Sequence, residues 1–208
     1  MSIIKKIKSQ IGSVKLVVVS KSRSAEEIKQ AIDAGAKIIA ENKIQEAEQK
    51  YSILKNYFED NNTEFHFIGH LQTNKVKKAV HMFDLIQSVD SLKLAKEIDR
   101  RVKKINKRQN ILVQVNIGKE PQKYGVLPEK TIGFVKELEQ FDNIKVKGLM
   151  CLPPLNKDPR PYFKEMKSLF DKLNLQILSM GMSKDYKIAI EESSTMVRIG
   201  TLIFEGKY

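Results

Sequence analysis

The stretch V-K-L-V-V-V-S-K-S, residues 14–22, sets a pattern that the rest of the chain repeats. Its apolar part, Val14 to Val19, predicts a buried strand, and the polar residues that follow predict a loop. Lys21 therefore stands where a rigid element ends and a pocket can begin. Seven later segments predict further strands: K-I-I-A (37–40), E-F-H-F-I-G (64–69), L-I-Q-S-V (85–89), I-L-V-Q-V-N-I (111–117), V-K-G-L-M-C-L (146–152), L-Q-I-L-S-M (175–180) and T-M-V-R-I (195–199). Several are almost continuously apolar, which is typical of parallel strands covered on both faces.

Helical segments stand between the predicted strands. Ser24-Ala25-Glu26-Glu27 predicts a capping box, in which Ser24 is the N-cap and Glu27 reaches back to it. That helix is expected to stop at Gly35, because glycine is common just after a helix end. Further helices are predicted at the N-terminus (1–10), from Ser91 to Lys107, from Pro128, from Pro161 to Leu173, and from near Ser183.

Eight strand–helix units in about 200 residues match the lower size limit of a (β/α)8 barrel, with a doubly wound open sheet as the alternative. We expect a (β/α)8 TIM barrel that forms a single domain over residues 1–208. Phosphate sites of such barrels recur in the loops after strands seven and eight. Here those loops, residues 179–183 and 200–201, are rich in glycine and hydroxyl groups. In a closed barrel strand eight pairs with strand one, so Arg198 is expected to approach Lys21.

The formal charge of +12 raises the question of nucleic acid. The basic residues are spread over several predicted helices that also carry acidic residues. No zinc-ligand spacing, aromatic-interleaved strand pair or long basic arm accompanies them. We therefore expect solvated basic faces and no nucleic-acid partner.

A single cysteine, Cys151, excludes an internal disulfide and leaves no cysteine cluster for a metal. This usage suits a reducing cytoplasm, which is the expected location. No apolar run approaches the roughly 18 residues of a membrane span, so no membrane association is expected. Met150 and Cys151 end strand six and are expected in the core.

Three polar residues near strand ends are candidates for a binding site. Lys21 supplies the positioned amine that a phosphate-bearing aldehyde cofactor needs, although lysines are common in a chain with 37 Lys and Arg. Arg198 interrupts an apolar strand, where a charge needs an anion or a hydrogen-bond partner. Asn42 follows strand two, and its spacing favours a helix N-cap over a ligand contact. His70, in the loop after strand three, is expected only to bond the backbone.

Six segments resemble motifs of one family: V-V-S-K (18–21), E-N-K-I-Q-E (41–46), F-H-F-I-G-H-L-Q-T-N-K (65–75), G-L-M-C-L-P-P (148–154), S-M-G-M-S-K-D (179–185) and S-T-M-V-R-I-G-T-L-I-F (194–204). The chain resembles the pyridoxal phosphate homeostasis proteins. Their barrel is similar to the N-terminal domain of alanine racemase and to the fold-type III decarboxylases. The match runs nearly from end to end.

The resemblance implies pyridoxal 5′-phosphate as cofactor and assigns six residues to it. Lys21 matches the lysine that forms a Schiff base with the cofactor, and Arg198 matches the arginine that faces the pyridine nitrogen. Asn42 matches a residue beside the ring. Three further residues match the phosphate contacts: Ser179, Gly200 and Thr201.

The chain departs from the family at a few positions. Ala40, Ser193 and Glu205 stand where the family usually has glycine, and Lys43 stands where it often has tyrosine. These departures concern the shape of loops and leave the cofactor-binding residues intact.

The resemblance implies a cofactor carrier or regulator of the cofactor pool, without catalytic residues of its own. Racemases of this fold take a second base from an additional β domain, and the chain stops at Tyr208, so no such domain is expected. A weak pyridoxal phosphate-dependent racemase or lyase is the alternative, and a basic nucleic-acid-binding module is the third hypothesis. We expect a monomer, with pyridoxal phosphate-dependent apoenzymes as candidate recipients of the cofactor.

Overall fold

The strands of the protein form one closed parallel barrel. The computed structural model describes residues 2–206; Met1, Lys207 and Tyr208, which belong to the expected single domain, lie outside the described residues. The strands are β1 (Lys15–Val19), β2 (Ile38–Glu41), β3 (Glu64–Phe67), β4 (Leu85–Val89), β5 (Gln109–Val115), β6 (Ile144–Cys151), β7 (Ile177–Ser179) and β8 (Met196–Ile199). They pair in chain order, and β8 closes on β1 with Ile199 opposite Val18. This closure confirms the (β/α)8 barrel and rules out the open sheet.

Every predicted strand end lies within two residues of its observed position. Differences of two residues occur at β3, β5, β6 and β7. Strands β5 and β6 begin earlier than predicted, at Gln109 and Ile144, and pair there with each other. Gln109 is polar yet fully buried, because its side-chain amide donates to the carbonyls of Phe83 and Asp84, both at 3.2 Å. Gln109 can therefore belong to β5 although it is polar, whereas hydrophobic patterning alone predicts a later start of the strand.

Helices alternate with the strands along the chain. They are α1 (Ile3–Ile11), α2 (Ala25–Asp33), α3 (Ile44–Asp60), α4 (Val76–Met82), α5 (Leu92–Lys103), α6 (Thr131–Leu138), α7 (Arg160–Asp171), α8 (Tyr186–Glu191) and α9 (Thr201–Glu205), with short 3-10 turns at Thr73–Lys75 and Pro128–Lys130. The capping box is confirmed: the Ser24 hydroxyl accepts from the Glu27 amide, and the Glu27 carboxylate accepts from the Ser24 amide. Among residues 2–206, none of these helices is long and apolar enough to cross a membrane.

Two helix starts differ from the predictions. Asn42 is not an N-cap, because α3 starts one residue later with Lys43 at the cap and no side-chain cap bond. Helix α8 begins at Tyr186 rather than near Ser183. A turn precedes it, in which the Asp185 carboxylate accepts a 2.6 Å hydrogen bond from the Met182 amide.

The core has two layers. The larger one lies between the barrel and the surrounding helices and includes Cys151, while Met150 belongs to the small apolar cluster inside the barrel. Both residues are buried, as expected. The barrel interior also holds buried polar side chains, among them His66, Gln87, Ser179 and Arg198.

Ser193 adopts a backbone conformation that suits glycine better than serine. It lies in the turn between α8 and β8 with a φ of 68°, inside the left-handed region that side chains disfavour. The family usually has glycine here, so the departure noted in the sequence leaves a strained turn without changing the path of the chain.

Candidate functional site

Four of the six predicted site residues line one pocket at the C-terminal ends of the strands. Lys21, Arg198, Gly200 and Thr201 face a cavity of about 720 Å³, within the range of roughly 300–1,000 Å³ that is typical of small-molecule sites. The loops after β6 and β7 supply the opposite wall. The pairing of β8 with β1 therefore brings residues from both ends of the sequence together, as predicted.

Lys21 begins the tight turn that follows β1. The Ser20 amide donates to the carbonyl of Ala40, and the Arg23 amide donates back to the carbonyl of Ser20, both at 3.0 Å. The Lys21 side chain is exposed and has no hydrogen bond or ion pair with the residues that the structure describes. Its amine is therefore available to a ligand in the pocket.

Arg198 forms the floor of this pocket and has only 3% of its surface exposed. Its Nη1 donates to the Ser179 hydroxyl at 2.6 Å, and its Nη2 donates to the Cys151 carbonyl at 2.8 Å. Burial lowers the pKa of the Arg198 guanidinium, and the Cys151 and Asp185 side chains counteract part of this effect. Arginine starts so far above neutral pH that it remains a cation. These hydrogen bonds are the partners that we expected the charged Arg198 to need inside an apolar strand.

Ser179 lies beneath Arg198 and not in the wall of the pocket. It is fully buried, and its hydroxyl donates to the Gln87 side-chain oxygen at 2.8 Å. The Gln87 Nε2 lies 3.1 Å from His66 Nδ1, and His66 Nε2 lies 2.7 Å from the Glu64 carboxylate. A row of hydrogen bonds thus crosses the barrel from Glu64 to Arg198. The phosphate contact expected of Ser179 stays a prediction, and its hydroxyl already serves Arg198.

The loops after β7 and β8 form the hydroxyl-rich end of the pocket. The Ser183 hydroxyl accepts from the Leu202 amide at 3.3 Å, which ties the two loops together. A side chain at Gly200 would place its Cβ 2.9 Å from the Val19 carbonyl oxygen, so a residue without Cβ fits best here. Thr201 is exposed at the start of α9. Ser183 was not among the predicted contacts, although its place in the hydroxyl-rich motif was the available signal.

Asn42 lines an adjoining cavity of about 370 Å³ that shares Arg198 with the first. Its side-chain oxygen is buried and has no hydrogen-bond partner in the described part of the chain. Across this cavity the His70 ring stacks on Tyr124, with ring centroids 3.5 Å apart and planes 11° apart. The His70 side chain therefore packs against a ring and makes no hydrogen bond to the backbone of the described residues, so the role expected of it is wrong. An unpaired buried amide oxygen is costly, which makes Asn42 a place for a donor group of a ligand.

Cys151 lies beside the site without taking part in it. Burial raises the pKa of its thiol to about 12, although the positive charge of Arg198 opposes this shift. A thiol in this state is neither a nucleophile nor a metal ligand at neutral pH. Residues 2–206 hold no group of three or more His, Cys, Asp or Glu side chains placed to bind a metal ion.

The arrangement has the groups that an anionic aldehyde ligand requires. Three lysine amines line the cavity, those of Lys21, Lys157 and Lys184. The fixed cation of Arg198 lies beside them, and hydroxyl and glycine residues line one end. An amine can attach a carbonyl compound covalently, while hydroxyl groups and closely approached backbone suit an anion. These features lie around a single cavity and can act on one ligand.

Comparison with known proteins gives one consistent family. Residues 3–207 match the family described as alanine racemase, N-terminal domain. A pyridoxal phosphate homeostasis protein of Aquifex aeolicus is 44% identical over 204 residues, which cover 93% of this chain and 88% of that protein. A protein of the same name from Synechocystis is 39% identical over 201 residues, covering 92% and 91% of the two chains.

Solved structures agree with this grouping. PipY of Synechococcus elongatus, whose structure contains bound PLP, superposes with a TM-score of 0.88 and 32% identity over 97% of both chains. Alanine racemase of Clostridium difficile superposes with a TM-score of 0.75 over 97% of this chain and 56% of that one, at 15% identity. The second likeness concerns the fold alone.

Proposed function

The chain belongs to the pyridoxal phosphate homeostasis proteins, within the family of the alanine racemase N-terminal domain, and on that premise we propose that it binds pyridoxal 5′-phosphate and serves intracellular homeostasis of this cofactor. The observation that carries the proposal is the convergence of Lys21, Arg198, Gly200 and Thr201 on one cavity. Relatives bearing the homeostasis name match almost the whole chain, and the PLP-containing PipY structure has the same barrel.

Lys21 is the residue that attaches the cofactor. The cofactor supplies an aldehyde, with which a lysine amine condenses reversibly. When bound, the cofactor would offer its aldehyde to the Lys21 amine, which would hold it covalently through a carbon–nitrogen double bond, with the aldehyde oxygen leaving as water. Lys21 suits this role because its side chain is exposed to the cavity and has no ion pair with the described residues.

The phosphate group is held by neutral donors of the loops after β7 and β8. Thr201 offers a hydroxyl, and Gly200 allows the backbone to approach closely. Ser183 lines the same wall and joins this set. Hydroxyl and backbone donors are suited to a phosphate because they give directed hydrogen bonds without adding a counter-charge. Ser179 is buried outside the pocket wall and bonded to Arg198, and its predicted contact with the phosphate stays a prediction.

Arg198 is expected to limit the chemistry to binding and release. As a permanent donor it favours a neutral, accepting ring nitrogen, which weakens the electron-withdrawing power on which amino-acid chemistry depends. We therefore propose a protein without dedicated catalysis. The names of the relatives, which describe homeostasis, support this view.

Partners, assembly and location are further parts of the proposal. Apoenzymes that depend on pyridoxal phosphate are the proposed recipients of the cofactor, on the strength of the family resemblance. A monomer is proposed because the large apolar side chains exposed in the described part of the chain, among them Ile53, Tyr124 and Leu155, lie on separate segments. The single cysteine, reduced and buried, suits a cytoplasmic location.

The visible absorbance of the purified protein tests the proposed binding. Added pyridoxal phosphate should give a yellow band that borohydride abolishes, and peptide mapping should then find the pyridoxyl group on Lys21. Lys21→Ala should abolish the band while the protein stays folded, and Lys184→Ala, a lysine of the same pocket, should keep it. Covalent attachment at another lysine with Lys21 unmodified would contradict the assignment.

A turnover assay tests the absence of catalysis. The loaded protein is incubated with L- and D-alanine and serine, and products are followed by chiral chromatography over hours. Inversion or cleavage at about 1 per second or faster, within the usual range of enzymes, would favour a racemase or lyase instead.

A further inference from the structure

A cluster of three buried or half-buried charges lies directly beneath the lysine turn, which we define as residues 20–23. The cluster consists of Glu41 at the end of β2 with Glu46 and Lys50 on α3. We propose that Glu41, Glu46 and Lys50 are positioning residues that hold the lysine turn so that the Lys21 amine faces the cofactor. This inference rests on the proposed function, since it assigns these three residues to the attachment step.

Lys50 holds the turn from its N-terminal side. It is a lysine in the middle of a helix, yet only 7% of it is exposed. Its Nζ lies 2.5 Å from Glu41 Oε1 and 2.7 Å from Glu46 Oε1, and it donates to the Ser20 carbonyl at 2.6 Å. That carbonyl belongs to the peptide bond between Ser20 and Lys21. The ammonium group thus fixes the backbone immediately before the attachment lysine.

Glu46 holds the turn from its C-terminal side. Its carboxylate accepts a hydrogen bond from the Ser22 amide, which follows Lys21. Ser22 has a φ of 59°, a conformation that a non-glycine residue keeps only when its surroundings impose it. The same carboxylate oxygen also bonds Lys50. The peptide groups on both sides of Lys21 are therefore tied to one charged cluster.

Glu41 completes the cluster at a cost. Its side chain is fully buried, and the Ser20 hydroxyl donates to Oε1 at 2.6 Å, while Oε2 has no partner among residues 2–206. Burial raises the pKa of Glu41, and hydrogen bonds from Lys50 and Ser20 oppose that change. Buried ion pairs often contribute little net stability, because desolvation offsets their attraction. A cluster of this kind beside an attachment lysine is better explained by geometry than by stability.

The structure separates the groups that hold the turn from the group that reacts. Ser20 and Ser22 carry the contacts with the cluster, whereas the Lys21 side chain has none with the described residues. The backbone is thus fixed while the amine is free to reach the pocket. Loss of the cluster should leave the pocket walls in place and loosen only the residue that attaches the cofactor.

A matched pair at Glu46 provides the main test. Glu46→Ala removes the acceptor of the Ser22 amide, whereas Glu46→Gln keeps a side-chain oxygen for it. Glu48→Ala serves as control, since Glu48 lies on the same helix and pairs with Lys78 away from the turn. In the cofactor-free protein, amide hydrogen exchange of the peptide covering residues 20–24 should become about tenfold faster in Glu46→Ala only.

Attachment is measured separately from binding. At saturating pyridoxal phosphate, the rate at which borohydride fixes the pyridoxyl group on Lys21 should fall about three- to tenfold in Glu46→Ala. Binding of the phosphate end, followed by competition with inorganic phosphate, should change less than twofold. Glu46→Gln and Glu48→Ala should behave like the unchanged protein in both measurements.

The double variant Lys50→Met with Glu41→Gln removes the rest of the cluster without leaving a fully buried charge unpaired. Near-ultraviolet circular dichroism checks its fold. It should show the same faster exchange of residues 20–24 and the same slower attachment at Lys21 as Glu46→Ala. If the unchanged protein fails to attach the cofactor, the proposed function falls, although faster exchange of residues 20–24 would still show that the cluster holds the turn. If the unchanged protein attaches it, and Glu46→Ala and the double variant match it in exchange or in attachment, the positioning role is wrong.

Discussion

The guanidinium of Arg198 and the hydroxyl of Ser179 are joined by a 2.6 Å hydrogen bond inside the barrel. The arginine lies on β8 and the serine at the end of β7. Because the serine hydroxyl also donates to Gln87, it fixes both the position of the arginine and the direction of the hydroxyl proton. The cation under the pocket is therefore held by the barrel itself and does not depend on a ligand.

Ser179→Ala is expected to destabilise the fold. The substitution leaves Arg198 Nη1 and the Gln87 side-chain oxygen without their partner, which should lower the free energy of unfolding by roughly 1–3 kcal/mol. Urea denaturation measures the change. Ser88→Ala is the matched control, since Ser88 is equally buried but its hydroxyl has no partner in the described structure. Equal effects of the two substitutions would contradict the role given to Ser179.

Thr201→Ala is expected to weaken cofactor binding without affecting the fold. The exposed hydroxyl makes no core contact, and a hydrogen bond to a charged phosphate contributes roughly 1–2 kcal/mol. Titration followed by absorbance should show the weaker affinity for pyridoxal phosphate, with an unchanged melting temperature. Pyridoxal, which lacks the phosphate, should bind both proteins alike. An equal loss of affinity for the two ligands would place the phosphate elsewhere.

Ser193→Gly is expected to stabilise the protein. The φ of 68° at this position penalises a side chain, so glycine should raise the free energy of unfolding by roughly 0.5–1.5 kcal/mol. Thermal and urea denaturation would both report the gain. Ser52→Gly, at an exposed position of α3, is the contrasting control and should lower stability by roughly 0.5 kcal/mol. A loss at both positions would argue against strain in the turn.

Glu97→Gln is expected to make stability less dependent on pH. The pKa of Glu97 is lowered from 4.5 to about 2, chiefly by the hydrogen bond from Arg100; burial opposes this shift, and the hydrogen bond from Arg101 adds to it. A carboxyl whose pKa is lower in the folded state adds stability above its unfolded pKa and loses it as pH falls toward the folded value.

At neutral pH, the free energy of unfolding of the unchanged protein should exceed that of Glu97→Gln by roughly 0.5–1 kcal/mol, because the ion pairs of Glu97 on α5 are partly exposed to solvent. The difference should shrink between pH 4.5 and about 2. Urea denaturation at several pH values measures it, with Glu137→Gln as control, since Glu137 is exposed and has no ion pair with the described residues. A pH-independent difference would exclude the ion pairs as its source.

Cys151 is expected to resist thiol reagents in the folded protein. With a pKa raised to about 12 by burial, its thiolate fraction near pH 8 is at least about 1,000-fold below that of a free cysteine. Because Cys151 is the single cysteine of the chain, the colour released from a disulfide reagent reports on this residue alone. Reaction should be fast in urea and very slow without it. Rapid labelling of the folded protein would mean that the β6 end opens readily.

Local patterning was sufficient for the barrel, and for the meeting of Lys21 with Arg198, because parallel strands in chain order leave few topologies. The role of Ser179 could not be predicted from the sequence, because a motif does not show to which face of the strand its hydroxyl points. Lys50 was missed for a related reason. A lysine four residues after a glutamate on a helix normally indicates an exposed pair, and only the packing of α3 against β1 and β2 buries it.

The closure of β8 on β1 determines the stage of synthesis and folding at which the cofactor can first bind. Lys21 is translated well before Arg198, Gly200 and Thr201, which lie on or just after β8. Until β8 has paired with β7 and β1, the barrel is open, and the pocket lacks both Arg198 and the residues proposed to bind the phosphate. Cofactor binding therefore stabilises only chains in which β8 has been synthesised and has paired with β1, and it cannot guide the early steps of folding.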